Sequence, residues 1–128
     1  MASDRLVLHL DHVSTSPGIA RAAVREYSAE HGLARPVREA ALLVASELVS
    51  NAVRHGAAPI TLFLERIDDG ALRVEVCDAG DGIEPLRMDS GEWTTTGRGL
   101  TIVAALARDW RVERRADGKS VAAEIALT

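Results

Sequence analysis

The chain has 128 residues and a mass of 13.7 kDa, which fits one domain with one hydrophobic core. Hydrophobic residues make up 47% and charged residues 27%, a balance that excludes a disordered chain. The formal net charge of −4 argues against general nucleic-acid binding, which requires basic surfaces. The single cysteine excludes an internal disulfide, and no apolar run approaches the ~20 residues of a membrane span. Because the N-terminus also lacks a secretory signal pattern, we expect a cytoplasmic protein without membrane contact.

The first half of the chain predicts one strand followed by two helices. Residues 6–10 form a short apolar run typical of a strand. Ser16 and Pro17 fit the N-cap and first position of a helix, and Gly32 fits its C-terminal stop. A second helical pattern runs over residues 36–55.

The second half predicts two hairpins separated by a long loop and a short helix. Residues 59–67 and 72–77 form strands around a tight turn. Hydrophobic patterning then disappears over residues 78–97, and a loop of that length in a small domain is usually functional. A short helix and a closing hairpin follow, at residues 100–106, 110–114 and 119–127. This order predicts a single α+β domain over residues 1–128, a two-layer α/β sandwich with one mixed sheet and helices on one face.

The second predicted helix carries a carboxylate and a carboxamide on one face. Glu47 and Asn51 are four residues apart, so their side chains lie one helical turn apart. A carboxylate can accept a proton from a hydroxyl, and an amide oxygen suits Mg2+, which prefers oxygen ligands. The pair is therefore a candidate phosphate site, although taken alone it also fits an ordinary solvated helix face.

An aspartate and two glycines follow directly after the strand LRVEVC. Asp78 at the end of a strand can accept a hydrogen bond from an exocyclic amine. Gly80 and Gly82 allow the backbone to approach a flat ring or a phosphate closely. A glycine-rich turn with a solvated aspartate is the alternative interpretation.

A third glycine-containing segment leads into the short helix. Gly97 and Gly99 precede Leu100, so backbone N–H groups at this helix start can face a phosphate. Arg98 adds a cation between the two glycines. The alternative is a flexible loop with an incidental arginine.

In this order, the three segments resemble the GHKL ATPases, the superfamily of histidine-kinase ATP-binding domains, gyrase-type ATPases and their relatives. Residues 47–51 look like its N box, residues 78–82 like its first glycine box, and residues 97–100 like a short second glycine box. The stretch SELVSNAVRHG at residues 46–56 is especially similar to the small bacterial anti-sigma-factor serine/threonine kinases. The resemblance covers nearly the whole chain and implies a sandwich that binds ATP between the helices and a lid.

The resemblance also implies a role for each matching residue around the metal and the base. Asn51 would coordinate the Mg2+ that bridges the phosphates, and Glu47 would be the base that activates the attacking hydroxyl. Asp78 would bind the adenine amino group, with Gly80 and Gly82 shaping the base pocket.

The remaining implied roles concern the phosphates and the lid. Gly97, Arg98 and Gly99 would lie along the phosphates, next to a short ATP lid formed by residues 83–96. Ser120 on the closing hairpin would match a position at which the family often has a threonine near adenine.

The implied activity is that of an ATP-dependent protein serine/threonine kinase of the anti-sigma type. It would transfer the γ-phosphoryl group of Mg-ATP to a hydroxyl on a small anti-sigma antagonist protein. By the same resemblance it would sequester a sigma factor and act as a homodimer.

A departure from the family pattern motivates a second hypothesis, and a third hypothesis stands beside it. Residues 94–96 are three threonines where kinase members often have a basic residue shortly before the second glycine box. The second hypothesis is therefore a non-catalytic nucleotide-sensing module, in which ATP orders the loop and changes partner affinity. The third is a degenerate domain that binds protein partners without nucleotide.

Overall fold

The structure is a computed structural model that describes residues 5–67, 70–80, 86–89, 92–95 and 99–127, and the side chains among these outside residues 81–100. Helices and strands alternate in small groups along these residues. Their bounds are β1 (Arg5–Leu10), α1 (Ser16–Glu30), α2 (Arg35–His55), β2 (Ile60–Ile67), β3 (Ala71–Asp78), β4 (Leu86–Asp89), β5 (Glu92–Thr95), α3 (Gly99–Leu106), β6 (Asp109–Arg115) and β7 (Gly118–Ala126).

Five strands form one sheet in the order β1-β2-β3-β7-β6, and every neighbouring pair among them is antiparallel. The α+β two-layer class is confirmed, but the expectation of a mixed sheet is wrong for this described sheet. The reason is that β7 inserts between β3 and β6. Strands β3 and β6 run in the same direction, and β7 between them keeps them from pairing with each other.

The helices cover one face of the sheet, and the core lies between the two layers. Helix α2 packs against α1, α3 and the central strands. Strand residues alternate between the two faces, so Ile60, Leu62 and Leu64 of β2 are buried while the residues between them are partly exposed. Burial of these aliphatic side chains supplies the main stabilising free energy.

Proline and glycine mark the helix ends close to the predicted positions. Pro17 lies in the first turn of α1, whose N-cap is Thr15, one residue before the predicted Ser16. The hydroxyl of Ser16 instead donates to the carbonyl of Asp11 at 2.5 Å. Gly56 is the C-cap of α2. The C-terminal end of α2 is important for function, because the candidate site begins directly after it.

The segment predicted to be one long loop contains a small hairpin. Strands β4 and β5 pair antiparallel, with Leu86 opposite Thr95 and Asp89 opposite Glu92. This hairpin lies within the predicted lid, residues 83–96. In the part of the chain that the structure describes, no helix has the length and apolar character to cross a membrane.

Candidate functional site

Three chain segments meet where α2 and β3 end and β7 begins. The N–H of Ala79 donates to the carbonyl of Ala57 at 2.9 Å, which joins the segment after α2 to the end of β3. The N–H of Ala57 donates in turn to Asp78 Oδ1 at 3.3 Å. Asp78 is directly opposite Lys119 across the β3–β7 pair. These contacts fix the carboxylate of Asp78 at the end of the sheet, on the face covered by the helices.

The carboxylate of Asp78 is held by protein donors on both oxygens. Oδ1 accepts the N–H of Gly80 at 2.8 Å in addition to that of Ala57, and Oδ2 accepts Lys119 Nζ at 2.7 Å. The side chains of Lys119 and Asp78 are 0% and 2% exposed, so this is a fully desolvated ion pair. A buried carboxylate requires such compensation, because an unpaired charge in the interior is costly.

Glycines at the site permit close backbone approaches. A Cβ added to Gly80 would lie 2.8 Å from the nitrogen of Ala57, closer than real side chains come to backbone. Gly118 has φ of +150°, and a Cβ there would collide with the carbonyl oxygen of Asp78. The turn after β3 can therefore lie against the segment after α2 because Gly80 lacks a side chain, and the start of β7 can lie against the end of β3 because Gly118 lacks one.

Glu47 and Asn51 lie on helix α2, whose C-terminal end leads to Ala57 beside Asp78. Asn51 is 1% exposed and lies with the buried residues of α2, whereas Glu47, one turn earlier, is partly exposed. A partly exposed carboxylate can meet a substrate hydroxyl, and a buried amide oxygen can ligate a metal ion. Among the described residues, no three His, Cys, Asp or Glu side chains are grouped closely enough to hold a metal by themselves.

Ser120 does not lie with Asp78. It is opposite Cys77 on β3, whereas Lys119 is opposite Asp78, and adjacent residues of a strand point to opposite faces. The structure thus puts Ser120 on the face away from the helices, where it lines an open cleft with Glu75 of β3. Lys119, and not Ser120, is the residue of β7 beside Asp78, and the expected position of Ser120 near adenine stays a prediction.

Cys77 lies on this same open face and is a free thiol. Burial of the thiol, followed by the charge of Glu75, raises its pKa above the ordinary value for cysteine. The protonated thiol is therefore favoured in the folded state, and the predicted packing role of Cys77 stays a prediction.

The other predicted site residues are Gly82 of the first glycine box and the residues of the third segment. Gly82, Gly97 and Arg98 lie outside the described residues. Gly99 is the first residue of α3 and Leu100 the second. The predicted arrangement of this segment along the phosphates therefore stays a prediction.

Sequence reasoning missed Lys119 and the segment after α2. The residues Val121, Ala123 and Ile125 of β7 are buried in the core, and period-two alternation puts Lys119 on their face. That signal was present in the sequence. The contact of Ala57 with Asp78 had no local signal, because it depends on how α2 packs against β3.

Comparison with known protein families gives one match to this chain. Residues 11–125 match the family described as the histidine kinase-like ATPase domain. The chain belongs to this family. Comparison with curated proteins found no significant match to the chain.

Solved structures support the family assignment. The chain is similar to the structure of the RsbU and RsbW domains of Rv1364c from Mycobacterium tuberculosis, with 26% identity and a TM-score of 0.75 over 96% of this chain and 32% of that one. It is also similar to the histidine kinase domain of the Erythrobacter litoralis blue-light activated histidine kinase EL346, with 24% identity and a TM-score of 0.53 over 88% of this chain and 60% of that one.

A third similar structure is the Acinetobacter baumannii histidine kinase AdeS. It has 16% identity and a TM-score of 0.54, and the match covers 100% of this chain and 70% of that one. The chain spans about a third of the length of the Rv1364c structure. The two histidine kinases share the fold of this chain, and the functional residues must be argued from the site itself.

Proposed function

We propose that this histidine kinase-like ATPase domain is an ATP-dependent protein serine/threonine kinase of the anti-sigma type. It would phosphorylate a small anti-sigma antagonist protein and sequester a sigma factor. Support comes from the similarity of residues 46–56 to such kinases and from the match of nearly the whole chain to a structure that contains an RsbW domain. The observation that carries the proposal is the position of Glu47 and Asn51 on α2, one partly exposed and the other buried.

We propose that the nucleobase binds at Asp78. Its buried carboxylate is positioned at the end of the sheet by the N–H groups of Ala57 and Gly80. A carboxylate with a fixed direction can accept the exocyclic amine of a purine. The close packing of Gly80 against the backbone of Gly56 and Ala57 holds the turn after Asp78 in place.

The metal end is proposed at Asn51. Its carboxamide offers one hard oxygen ligand, and Mg2+ typically takes only one or two ligands from the protein and the rest from phosphates and water. The buried position fixes the amide direction, because α2 packs against α3 and the sheet around it. Asn51 therefore fits a site in which the protein contributes a single ligand.

The chemical step is proposed at Glu47. Its carboxylate would accept the proton of the attacking serine or threonine hydroxyl, and bound Mg-ATP would supply the γ-phosphoryl group. Proton acceptance at this position requires access from solvent, which the partial exposure of Glu47 provides. Most of the rate enhancement would come from positioning of the two reactants.

The partners follow from the same proposal. A small antagonist protein would present the hydroxyl to Glu47, and a sigma factor would bind until that antagonist displaced it. A homodimer in the cytoplasm is the proposed working form. Direct contact with nucleic acid or with a membrane has no role in it.

The test has a binding stage and a transfer stage. Isothermal titration calorimetry with Mg-ATP should show binding to the wild type and a large loss of affinity in Asn51→Ala. Radiolabelled ATP is then mixed with antagonist proteins encoded beside the gene, and label should move to one of them. Absence of Mg-ATP binding to the wild type at millimolar magnesium would overturn the proposal.

A specific observation favours a second candidate, a nucleotide-sensing module without catalysis. The family's common basic residue before the second glycine box is replaced here by threonines at residues 94–96. Two of these lie in strand β5 of the lid hairpin. Tight Mg-ATP binding with no transfer and no hydrolysis, in the wild type with Glu47 intact, would select this candidate over the kinase.

A further inference from the structure

Helix α2 carries three side chains in a row along one face. Leu43, Glu47 and Asn51 follow one another at intervals of four residues, so each lies about one helical turn, roughly 6 Å, from the next. Leu43 is 48% exposed, Glu47 is partly exposed and Asn51 is buried. The face therefore runs from an apolar group in solvent, past the proposed proton acceptor, to the proposed metal ligand.

The proposed nucleotide lies on the C-terminal side of Glu47. Asn51 follows Glu47 by one turn, and the chain after α2 continues to Ala57, whose N–H donates to Asp78 Oδ1 at 3.3 Å. The proposed metal ligand and the proposed nucleobase-binding carboxylate are thus both toward this end of the helix. Because bound Mg-ATP would fill that side, a protein that presents a hydroxyl to Glu47 must approach over the N-terminal side.

Leu43 lies on this N-terminal side, one turn before Glu47. A single exposed leucine is ordinary on a protein surface, so its exposure alone indicates nothing. Among the large apolar side chains that are exposed in the described part of the chain, however, Leu43 is the one on α2. The flank of α2 next to Glu47 is occupied by α1, since Arg21 Nη1 donates to Ser46 Oγ at 2.9 Å. Leu43 is therefore the apolar contact that stays open to a protein reaching Glu47.

The spacing of Leu43 and Glu47 matches that of alternate residues in an extended peptide. Residues i and i+2 of an extended chain point to the same side and lie about 6.6 Å apart. This is close to the roughly 6 Å that separates Leu43 from Glu47 along the helix. When a serine or threonine hydroxyl is at Glu47, the side chain two residues away in the acceptor segment reaches Leu43. An apolar side chain at that position removes the exposed surface of Leu43 from water.

We infer that Leu43 is a specificity residue for the protein substrate, and that it contacts an apolar side chain two residues from the phosphorylated serine or threonine. The inference rests on the proposed function, which puts the attacking hydroxyl at Glu47. It goes further in naming a residue that binds the acceptor segment and the kind of sequence that this residue selects.

The test is transfer kinetics at saturating Mg-ATP, with the antagonist protein that accepts the radiolabel. Leu43→Gln keeps a comparable helix propensity and removes the apolar surface. Burial of the exposed part of one leucine corresponds to about 3–10-fold in affinity, so KM for the antagonist should rise by that factor. Leu43→Ala should give a similar rise. In both variants kcat and the dissociation constant for Mg-ATP should stay unchanged, because Leu43 contacts neither the reacting atoms nor the nucleotide.

Two further variants are the controls. Leu43→Met keeps an apolar side chain of similar volume and should retain the wild-type KM. Ile19→Gln removes an apolar side chain that is 51% exposed on α1, and it should also leave KM unchanged. Circular dichroism checks that each variant is folded, and substitutions at such exposed positions usually change stability little.

The acceptor segment is tested on the antagonist itself. Mass spectrometry of the labelled antagonist identifies the phosphorylated residue, and the residues two positions before and two positions after it are replaced in turn by glutamine. One of these replacements should raise KM with the wild-type kinase by about 3–10-fold. It should have no further effect with Leu43→Gln, because the contact is then already lost.

The outcomes separate this inference from the proposed function. Transfer with an unchanged KM in both Leu43→Gln and Leu43→Ala would overturn the inference while the kinase proposal stands. Polar residues at both tested positions of the antagonist, or effects that add fully in the paired substitutions, would overturn it as well. A wild type that binds no Mg-ATP, or that binds it without transfer, would overturn the proposed kinase function and this inference with it.

Discussion

The N–H of Ala79 donates to the carbonyl of Ala57 at 2.9 Å, and this bond joins the ends of α2 and β3. Gly80 follows directly, with its α-carbon packed against the same backbone. A methyl group at Gly80 would lie 2.8 Å from the nitrogen of Ala57 and from the carbonyl carbon of Gly56. Backbone atoms cannot rotate away as a side chain can, so this junction depends on the missing side chain.

Gly80→Ala should therefore destabilise the domain by about 1–3 kcal/mol, the usual cost of overpacking. Gly18→Ala in α1 is the matched control, because its nearest neighbour is the flexible end of Arg21 at 3.5 Å. Alanine there should be neutral or stabilise the helix by up to about 1 kcal/mol. Urea unfolding followed by circular dichroism measures both. Equal stabilities for the two variants would show that the backbone at Gly80 has room for a methyl group.

The ion pair of Lys119 and Asp78 should dominate the stability of the site. Replacing one member leaves the other charge buried without a partner, which costs about 3–5 kcal/mol. We expect Lys119→Met to lower the free energy of unfolding by that amount. The double variant with Asp78→Asn should lose less than the sum of the two single variants, because no charge is left unpaired.

A double-mutant cycle from urea titrations gives this coupling directly. Arg35→Met is the control, since Arg35 pairs with Glu39 on the surface and its side chain is 78% exposed. An exposed pair of this kind contributes little to stability. Additive effects at Asp78 and Lys119 would contradict a direct interaction between them.

Glu47→Gln should separate binding from chemistry. The amide keeps the size of the side chain but cannot accept a proton, so transfer to the antagonist should fall by about 10²–10⁴-fold. The dissociation constant for Mg-ATP should change little, because Glu47 is proposed to act on the hydroxyl and not on the nucleotide. Single-turnover transfer and calorimetry measure the two effects.

Glu39→Gln is the control for Glu47→Gln, as it removes an exposed carboxylate from the same helix. It should leave both binding and transfer unchanged. Transfer that survives Glu47→Gln at the wild-type rate would remove Glu47 from the proposed role.

The thiol of Cys77 should ionise at a higher pH than an ordinary cysteine thiol does. Alkylation requires the thiolate, and burial together with the charge of Glu75 raises the pKa of Cys77. The rate of reaction with iodoacetamide should therefore rise at a higher pH in the folded protein than in the urea-unfolded protein. The free energy of unfolding should fall as pH increases from the ordinary thiol pKa toward the raised one, because the unfolded state releases the proton first.

The Cys77→Ala variant sets the background for this measurement. In this variant the free energy of unfolding should fall less at alkaline pH, because the thiol that contributes to that fall is absent. Identical pH profiles in the folded and unfolded protein would contradict the raised pKa.

Much of the fold could be predicted from the sequence, because its signals are local. Proline near the start and glycine after the end bracket α2, and the alternation in β3 marks its core face. The hairpin of β4 and β5 could not be predicted from the sequence, because strands of four residues are too short to show a clear alternation of period two. The resemblance predicted an ATP lid over residues 83–96, but no pattern indicated strands there.

The site was predictable only in part, because register is a long-range property. Asp78 was expected from its position at a strand end, and the structure puts it at the meeting point of three segments. Its partner Lys119 lies 41 residues away in sequence, and no spacing rule connects the two. Their pairing requires knowing that β7 lies beside β3, and this neighbour relation also decides that Ser120 faces the other way.

The position of β7 in the sequence also determines when the pair of Asp78 and Lys119 can form during translation. Asp78 is translated 41 residues before Lys119, an interval of about 2–8 s at ordinary elongation rates. During that interval β3 has an unpaired edge and its terminal carboxylate lacks a counter-ion. A nascent chain therefore gains the buried Asp78–Lys119 pair only when β7 has been made, and a product truncated before Lys119 should leave Asp78 without its counter-ion.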